Sequence, residues 1–277
     1  MWAHRQVDLV CNLVSVVVLS DDAAVAAAHV AGRQWTPFKL PVQLLNASNV
    51  TAEHEVSRLC AGAPKLTLVT PWGRQDNDLL PILLGSIRWE CISLWVICYD
   101  LDRLRLVGPQ FKNNSQVLEL FNYAPTSAYG NLQRQEALNK VTDGMVYFLD
   151  EDNAMHPKFW QWYAANATLG HVYTFDQLRG PEPSLLRGRN PVPNCIDTAQ
   201  ILFDKALVGN ASFGGHPGSD TGDGRFIQTV VAQNRDKHIY VPDVLCYHNF
   251  AKHWVAGVPW TRSMSHTANI STVHWDC

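Results

Sequence analysis

Several features that assign a function directly are missing from this 277-residue sequence. The longest apolar candidate, residues 9–19, is interrupted by Asn12 and Ser15 and is too short to span a bilayer. The net charge is −3 and no basic block occurs, which argues against nucleic acid as the main partner. We therefore expect neither a transmembrane span nor nucleic-acid binding within this stretch of chain.

Two kinds of ligand-binding motif are also missing. No G-x-G-x-x-G or P-loop pattern occurs, so dinucleotide cofactors and ordinary NTPase chemistry lose support. The seven cysteines are scattered and show no zinc-like pairing. Cys91 and Cys98 lie in a predicted strand region and are interpreted as core residues. One or two disulfides are compatible with these cysteines, but the sequence does not identify their partners.

The composition indicates a globular protein with a sizeable core. Hydrophobic residues make up 47% of the chain and aromatic residues 10%. This length allows one large domain or two small ones. We interpret residues 1–64 as an N-terminal extension or an extra βα layer. Residues 65–277 then form the main domain, with one functional half over about residues 65–153 and another over about 154–277.

Six Asn-x-Ser/Thr sequons indicate the compartment. They occur at Asn46, Asn49, Asn113, Asn166, Asn210 and Asn269. Such sequons are acceptors for N-glycosylation in secreted proteins. Their number favours a eukaryotic chain in the secretory pathway, with the Golgi lumen as the expected location.

Two apolar segments predict neighbouring parallel strands. Residues 66–70 form the first predicted strand. Residues 92–99 are almost continuously hydrophobic, which is typical of a strand buried on both faces of a parallel sheet. Asp100 ends the second segment. Its carboxylate is placed either to accept from a nucleoside or to cap the following turn.

A predicted helix and a buried strand lead into a cluster of acidic residues at positions 150–152. Gly130 and Asn131 open a predicted helix that carries Arg134, and residues 145–149 form a buried strand. The acids of residues 150–152 and then Asn153 follow immediately. Ligands bind at the carboxyl ends of strands in open α/β sheets, and carboxylate oxygens suit a hard divalent cation. Taken alone, the same residues also fit a solvated acidic turn.

The order of these segments resembles that of GT-A glycosyltransferases, and most closely glycosyltransferase family 43, the glucuronosyltransferase and xylosyltransferase group. The matching segments are Thr70-Pro71-x-x-Arg74, the strand ending in Asp100, Asn131-x-x-Arg134-x-x-Ala137-Leu138, and Val146-Tyr147-Phe148-x-Asp150-x-Asp152-Asn153. The middle acid of the family loop is Glu151 here. The resemblance covers about residues 66–250 and implies an α/β, GT-A-like nucleotide-sugar-binding domain with a mixed, mostly parallel sheet flanked by helices.

On the donor side, the resemblance implies a nucleotide-sugar site that uses Mn²⁺ or Mg²⁺. Asp152 is the expected metal ligand, and Asp150 orients ribose or the metal. By analogy with the family, Asp100 is expected to hold the nucleoside uridine, and Arg134 to contact base or phosphate. The remaining donor-side residues are Thr70, Pro71 and Arg74.

In the second half of the domain, the resemblance implies three further roles. Asp197 binds the acceptor sugar, although a helix cap is an equally good interpretation of an Asp at this position. Asp223 is the expected general base, with Asp220 as the second candidate. His248, after the last strand, lies near the diphosphate or the metal, or else is structural.

The sequence therefore predicts a metal-dependent enzyme that transfers a sugar, with inversion, from a UDP-sugar to a hydroxyl of a glycan or glycoconjugate. A retaining or family-2-type GT-A enzyme shares the donor site. Two alternatives from other classes are a nucleotidyltransferase and a non-catalytic glycan-binding relative. The first normally has a Gly-rich basic loop after its first strand, which residues 70–74 match poorly.

Overall fold

The computed structural model describes residues 59–73, 79–100, 114–122, 130–179, 184–213 and 222–250. These residues belong to one compact unit that begins at Leu59. Most of the predicted N-terminal segment, residues 1–58, lies outside the described residues. None of the described helices has both the length and the apolar character needed to cross a membrane.

The described ranges contain nine strands and four α-helices. The strands are β1 (Leu66–Trp72), β2 (Ile92–Asp100), β3 (Val117–Asn122), β4 (Met145–Phe148), β5 (Ala154–Met155), β6 (Val172–Arg179), β7 (Ser184–Leu186), β8 (Ile201–Asp204) and β9 (His238–His248). The helices are α1 (Leu80–Ser86), α2 (Asn131–Lys140), α3 (Lys158–Asn166) and α4 (Gly222–Gln233).

All the strands belong to one mixed sheet. Its order is β3-β2-β1-β4-β8-β6-β9-β5, and β7 pairs with β6. The first four strands in this order are mutually parallel. β8 runs antiparallel to both β4 and β6, so β6 has the same direction as β4. β9 is parallel to β6. The carboxyl ends of β1, β2, β4, β6 and β9 therefore lie along the same edge, which we call the upper edge.

Helices cover both faces of the sheet, as the continuous apolar strands predict. Every residue of β1 is buried, and consecutive residues Leu68 and Val69 enter different hydrophobic clusters. One cluster includes residues of α1 and α3, and the other includes residues of α2 and α4. This three-layer packing explains why β1 and β4 lack the polar alternation of a half-exposed strand.

A glycine turn places β4 beside β1. Gly144 has a φ of +86°, and a Cβ added there would lie 2.8 Å from the carbonyl oxygen of Lys65. The next amide, that of Met145, donates to the same oxygen at 2.8 Å. Because only glycine accepts both the backbone angle and this close approach, it fixes where β4 enters the sheet.

A disulfide joins Cys60 to Cys91, a pairing that the sequence left open. Cys91 is buried, as expected of a core residue, but its sulfur is bonded. Cys195 is disulfide-bonded as well, whereas Cys98 and Cys246 are buried free thiols. The bridge ties the start of the described unit to the segment that leads into β2.

Replacing both Cys60 and Cys91 by alanine is expected to lower the free energy of unfolding. The bridge spans 31 residues, and the loop-entropy relation gives about 3.5 kcal/mol for a closure of this size. Urea unfolding under non-reducing conditions measures the change. The comparator is Cys98→Ala, which removes a buried thiol without breaking a bridge. Equal unfolding free energies for the two variants would contradict the prediction.

Candidate functional site

The ends of three neighbouring strands meet at the upper edge. Asp100 is the last residue of β2, and Gly73 follows β1. A Cβ added to Gly73 would lie 3.3 Å from the Asp100 Cβ. The Gly73 amide nitrogen also lies 3.5 Å from Oε1 of Glu151, in the loop that follows β4. The predicted nucleoside residue and the acidic loop are therefore neighbours in the fold.

Arg134 joins the acidic loop to the start of α4. Its side chain is 2% exposed, and Nη2 lies 2.7 Å from both carboxylate oxygens of Asp150. Nη1 donates to Asp223 Oδ1 at 3.1 Å. Burial opposes the charge, but Asp150 and Asp223 together raise the pKa of Arg134 above its ordinary value. One buried cation thus holds two of the predicted site carboxylates.

The first turn of α2 sets the position of Arg134. The helix follows Gly130, whose φ is +83° and whose added Cβ would lie 3.1 Å from Pro71 Cβ and 3.3 Å from Arg134 Nη1. Asn131 Oδ1 lies 3.4 Å from the same Nη1. Gly222, at the start of α4, packs against the Asn131 side chain so closely that a Cβ would overlap it. This contact brings Asp223 to the guanidinium.

Asp223 combines partial exposure with a strongly shifted pKa. Its side chain remains 21% exposed, so a bound molecule has access to it. Burial raises the pKa of Asp223 to about 7, Arg134 opposes the rise, and the charges of Asp150 and Asp197 add to it. A carboxylate with a pKa near neutrality is well suited to accept a proton in a general-base step.

Asp197 lies at the same edge and has two kinds of contact. Its Oδ1 accepts from the Ala199 amide at 2.9 Å and completes a capping box with Gln200 at the start of the 3₁₀ turn Thr198–Gln200. Its Oδ2 lies 3.8 Å from Nε2 of His248, the last residue of β9. The predicted cap is therefore present, while the second oxygen faces another predicted site residue.

Two polar contacts at the site were missed by sequence reasoning. Gln177, fully buried in β6, donates from Nε2 to Asp197 Oδ1 at 3.2 Å. Asn153 Oδ1 accepts from the Asn249 amide at 2.8 Å and so ties the acidic loop to the residue after His248. The adjacent polar residues Asp176 and Gln177, which follow Phe175 within the strand, were the available signal for Gln177.

The remaining predicted residues fall in different places. Thr70 is fully buried, and its Oγ1 accepts from Trp95 Nε1 at 2.8 Å. Pro71 lies against the start of α2. Arg74 and Asp220 lie outside the described residues. The donor-side roles of Thr70, Pro71 and Arg74, and the candidacy of Asp220 as the base, stay predictions.

The predicted metal ligands, Asp150 and Asp152, lie in the acidic loop that follows β4. Within the described ranges, no three His, Cys, Asp or Glu side chains come together as metal ligands. Asp152 is 1% exposed, and Asp150 is bound to Arg134. Mg²⁺ commonly binds one or two carboxylates together with substrate phosphates, and Mn²⁺ favours the same oxygen donors. The two carboxylates are oxygen donors of this kind, and their role as metal ligands stays a prediction.

No family model and no curated protein matches this chain. Among solved structures, it is similar to S. aureus TarS, a glycosyltransferase with a GT-A-like fold. For TarS residues 1–349 in complex with UDP, the TM-score is 0.53 at 14% identity, covering 66% of this chain and 60% of that one. For a second TarS structure, the TM-score is 0.51 at 14% identity, covering 66% of this chain and 36% of that one.

The chain thus spans less than two thirds of the length of these TarS chains. At such low identity the likeness shows the fold alone. It confirms the predicted fold class, a mixed α/β sheet flanked by helices and similar to that of a GT-A-like glycosyltransferase. Membership of family 43 in particular is not shown by it.

Proposed function

We propose that this protein is a glycosyltransferase that moves a sugar from a UDP-sugar to a glycan hydroxyl, with inversion and with Mn²⁺ or Mg²⁺. The observation that carries the proposal is the link made by Arg134 between Asp150 of the acidic loop and Asp223. This link brings the acidic loop and a carboxylate with a pKa of about 7 into one site. Transfer of a sugar from a diphosphate requires both functions.

Each residue of the upper edge has a distinct part in this proposal. Asp100 holds the nucleoside, and Asp152, with Asp150, holds the metal ion. When bound, the metal supplies positive charge that stabilises the leaving diphosphate. Asp223 removes the proton from the acceptor hydroxyl as that oxygen bonds to the anomeric carbon from the face opposite the diphosphate. Asp197 binds the acceptor sugar, and His248 lies near the diphosphate or the metal ion.

Three further observations support the finer parts of the proposal. One TarS structure contains UDP, which favours a uridine nucleotide for this fold. The motif order resembles family 43, which favours inversion. The Cys60–Cys91 disulfide is typical of an oxidising compartment, and with the six sequons it supports the secretory pathway, including the Golgi lumen.

Asp152→Asn is expected to abolish stabilisation of the protein by a nucleotide sugar with Mn²⁺, because the metal loses a charged ligand. For the unchanged protein, a micromolar donor at millimolar concentration adds roughly 4 kcal/mol of stability. A thermal-shift screen of nucleotide sugars, with and without Mn²⁺, measures the effect. Asp236→Asn, which changes an exposed carboxylate away from the upper edge, is the matched control.

Two results of this screen would count against the proposal. An undiminished Mn²⁺-dependent shift in Asp152→Asn would show that Asp152 is not a metal ligand. The absence of a shift with every UDP-sugar in the unchanged protein would overturn the proposed donor. A non-catalytic relative would give weak shifts and no turnover.

A further inference from the structure

Two of the six sequons lie within the described residues, and they share one local arrangement. The first is Asn166-Ala167-Thr168, at the end of α3, and the second is Asn210-Ala211-Ser212, after β8. In both, the Asn and the hydroxyl residue are exposed, whereas the middle alanine is 6% exposed. Each tripeptide is thus anchored by its alanine and presents its acceptor amide to solvent.

The amide nitrogens have room for a substituent. Asn166 Nδ2 donates to the Trp162 carbonyl at 2.8 Å, and an N-linked amide keeps one N–H with which to make such a bond. Asn210 is bonded through its Oδ1, which accepts from Gln233, so this contact leaves Nδ2 uninvolved. Both hydrogen bonds are therefore compatible with a covalently attached carbohydrate.

Strand direction places both sequons at the edge of the sheet opposite the candidate site. Asn166 precedes the first residue of β6, and Asn210 follows the last residue of β8. Because β6 and β8 are antiparallel, the start of one lies beside the end of the other. Gly170 donates to Asp204 Oδ2 at 2.7 Å, which joins the two loops directly. Asp150 and Asp223 belong to the upper edge.

We propose that Asn166 and Asn210 carry N-linked glycans, and that both glycans leave the upper edge open. The attachment joins an oligosaccharide to the Asn side-chain amide nitrogen, with transfer from a lipid-linked diphosphate donor that the secretory pathway supplies. The Cys60–Cys91 disulfide independently indicates an oxidising compartment. The assignment does not depend on the catalytic proposal, since it requires only export and exposed acceptors.

Peptide mass spectrometry tests each site separately. The full chain is directed through the secretory pathway of cultured animal cells and digested with trypsin. Cleavage after lysine and arginine places Asn166 in peptide 159–179 and Asn210 in peptide 206–225, each without another sequon. Treatment with an amidase that releases N-glycans in heavy-oxygen water is expected to reveal both peptides with Asp and one heavy oxygen in place of Asn.

Matched variants define the outcomes. Asn166→Gln and Asn210→Gln each lose one glycan, whereas Thr168→Ser keeps the first because serine also completes a sequon. Recovery of either peptide from the secreted chain with unmodified Asn, before enzyme treatment, overturns the assignment of that site. The nucleotide-dependent thermal shift is expected to be the same in both Gln variants. Its loss would contradict the placement of the glycans away from the site.

Discussion

Asp223→Asn is expected to slow sugar transfer by about 10²- to 10⁴-fold, the range that a positioned general base contributes. The amide cannot take the proton from the acceptor hydroxyl, yet it has nearly the same size and still accepts from Arg134. UDP binding is therefore expected to remain unchanged. Initial rates of UDP release, measured with the nucleotide sugar that the thermal-shift screen selects, test the rate, and calorimetric titration with UDP tests binding.

The pH dependence separates a base from a merely structural carboxylate. Since the pKa of Asp223 is about 7, the rate of the unchanged protein should rise with pH and level off above neutrality. Asp223→Glu should retain part of this rise, and Asp223→Asn should lose it. Full transfer by Asp223→Asn together with a loss in Asp220→Asn would reassign the base to Asp220.

The raised pKa of Asp223 also makes the free energy of unfolding depend on pH. The pKa of Asp223 in the folded state is above its ordinary value, so folding favours the protonated carboxyl. The stability that Asp223 contributes to the folded state is fully present below about pH 4 and is lost as the pH rises through about 7. Asp223→Asn should remove this part of the pH dependence of the unfolding free energy.

Arg134→Met is expected to lower the free energy of unfolding by about 3–5 kcal/mol, the usual cost of removing one partner of a buried ion pair. The variant leaves Asp150 and Asp223, which are only 13% and 21% exposed, without their shared cation. We expect donor-dependent turnover to fall as well, because the acidic loop and α4 lose their common anchor. Urea unfolding measures the first effect and UDP release the second.

Two further variants test whether Arg134 acts through these carboxylates. Arg134→Lys keeps the charge but cannot form the two-oxygen contact with Asp150, so an intermediate loss is expected. Combining Arg134→Met with Asp223→Asn should cost less than the sum of the single changes, because the uncharged amide needs no cation. Additive effects, or an unfolding free energy unchanged by Arg134→Met, would contradict the role assigned to Arg134.

The upper edge could be predicted from the sequence because its elements are encoded locally. The apolar segments at residues 92–99 and 145–149 indicated buried strands, and these are β2 and β4. Parallel strands bring their carboxyl ends to one edge, so Asp100 and the acidic loop were expected as neighbours. The helix that begins after Gly130 was recognised from the same local pattern and is observed as α2.

The partners of these residues could not be predicted, because they are distant in sequence. Arg134 and Asp223 are 89 positions apart, and their contact depends on how Gly222 packs against Asn131. Surface arginines and buried arginines look alike in a sequence. Cys60–Cys91 posed the same difficulty, since seven cysteines allow many pairings.

The reversed direction of β8 has a consequence for how specificity is distributed along the chain. Because β8 is antiparallel to β4, it begins at the upper edge, and Asp197 reaches the candidate site just before a strand instead of just after one. Residues 184–200, which include β7 and the turn before β8, therefore lead into a strand at the upper edge, whereas Asp100 and the acidic loop lie where β2 and β4 end. Under the proposed function, a change of sequence in this segment would alter the acceptor side first, and its effect would reach the donor side through the contact of Asp197 with His248.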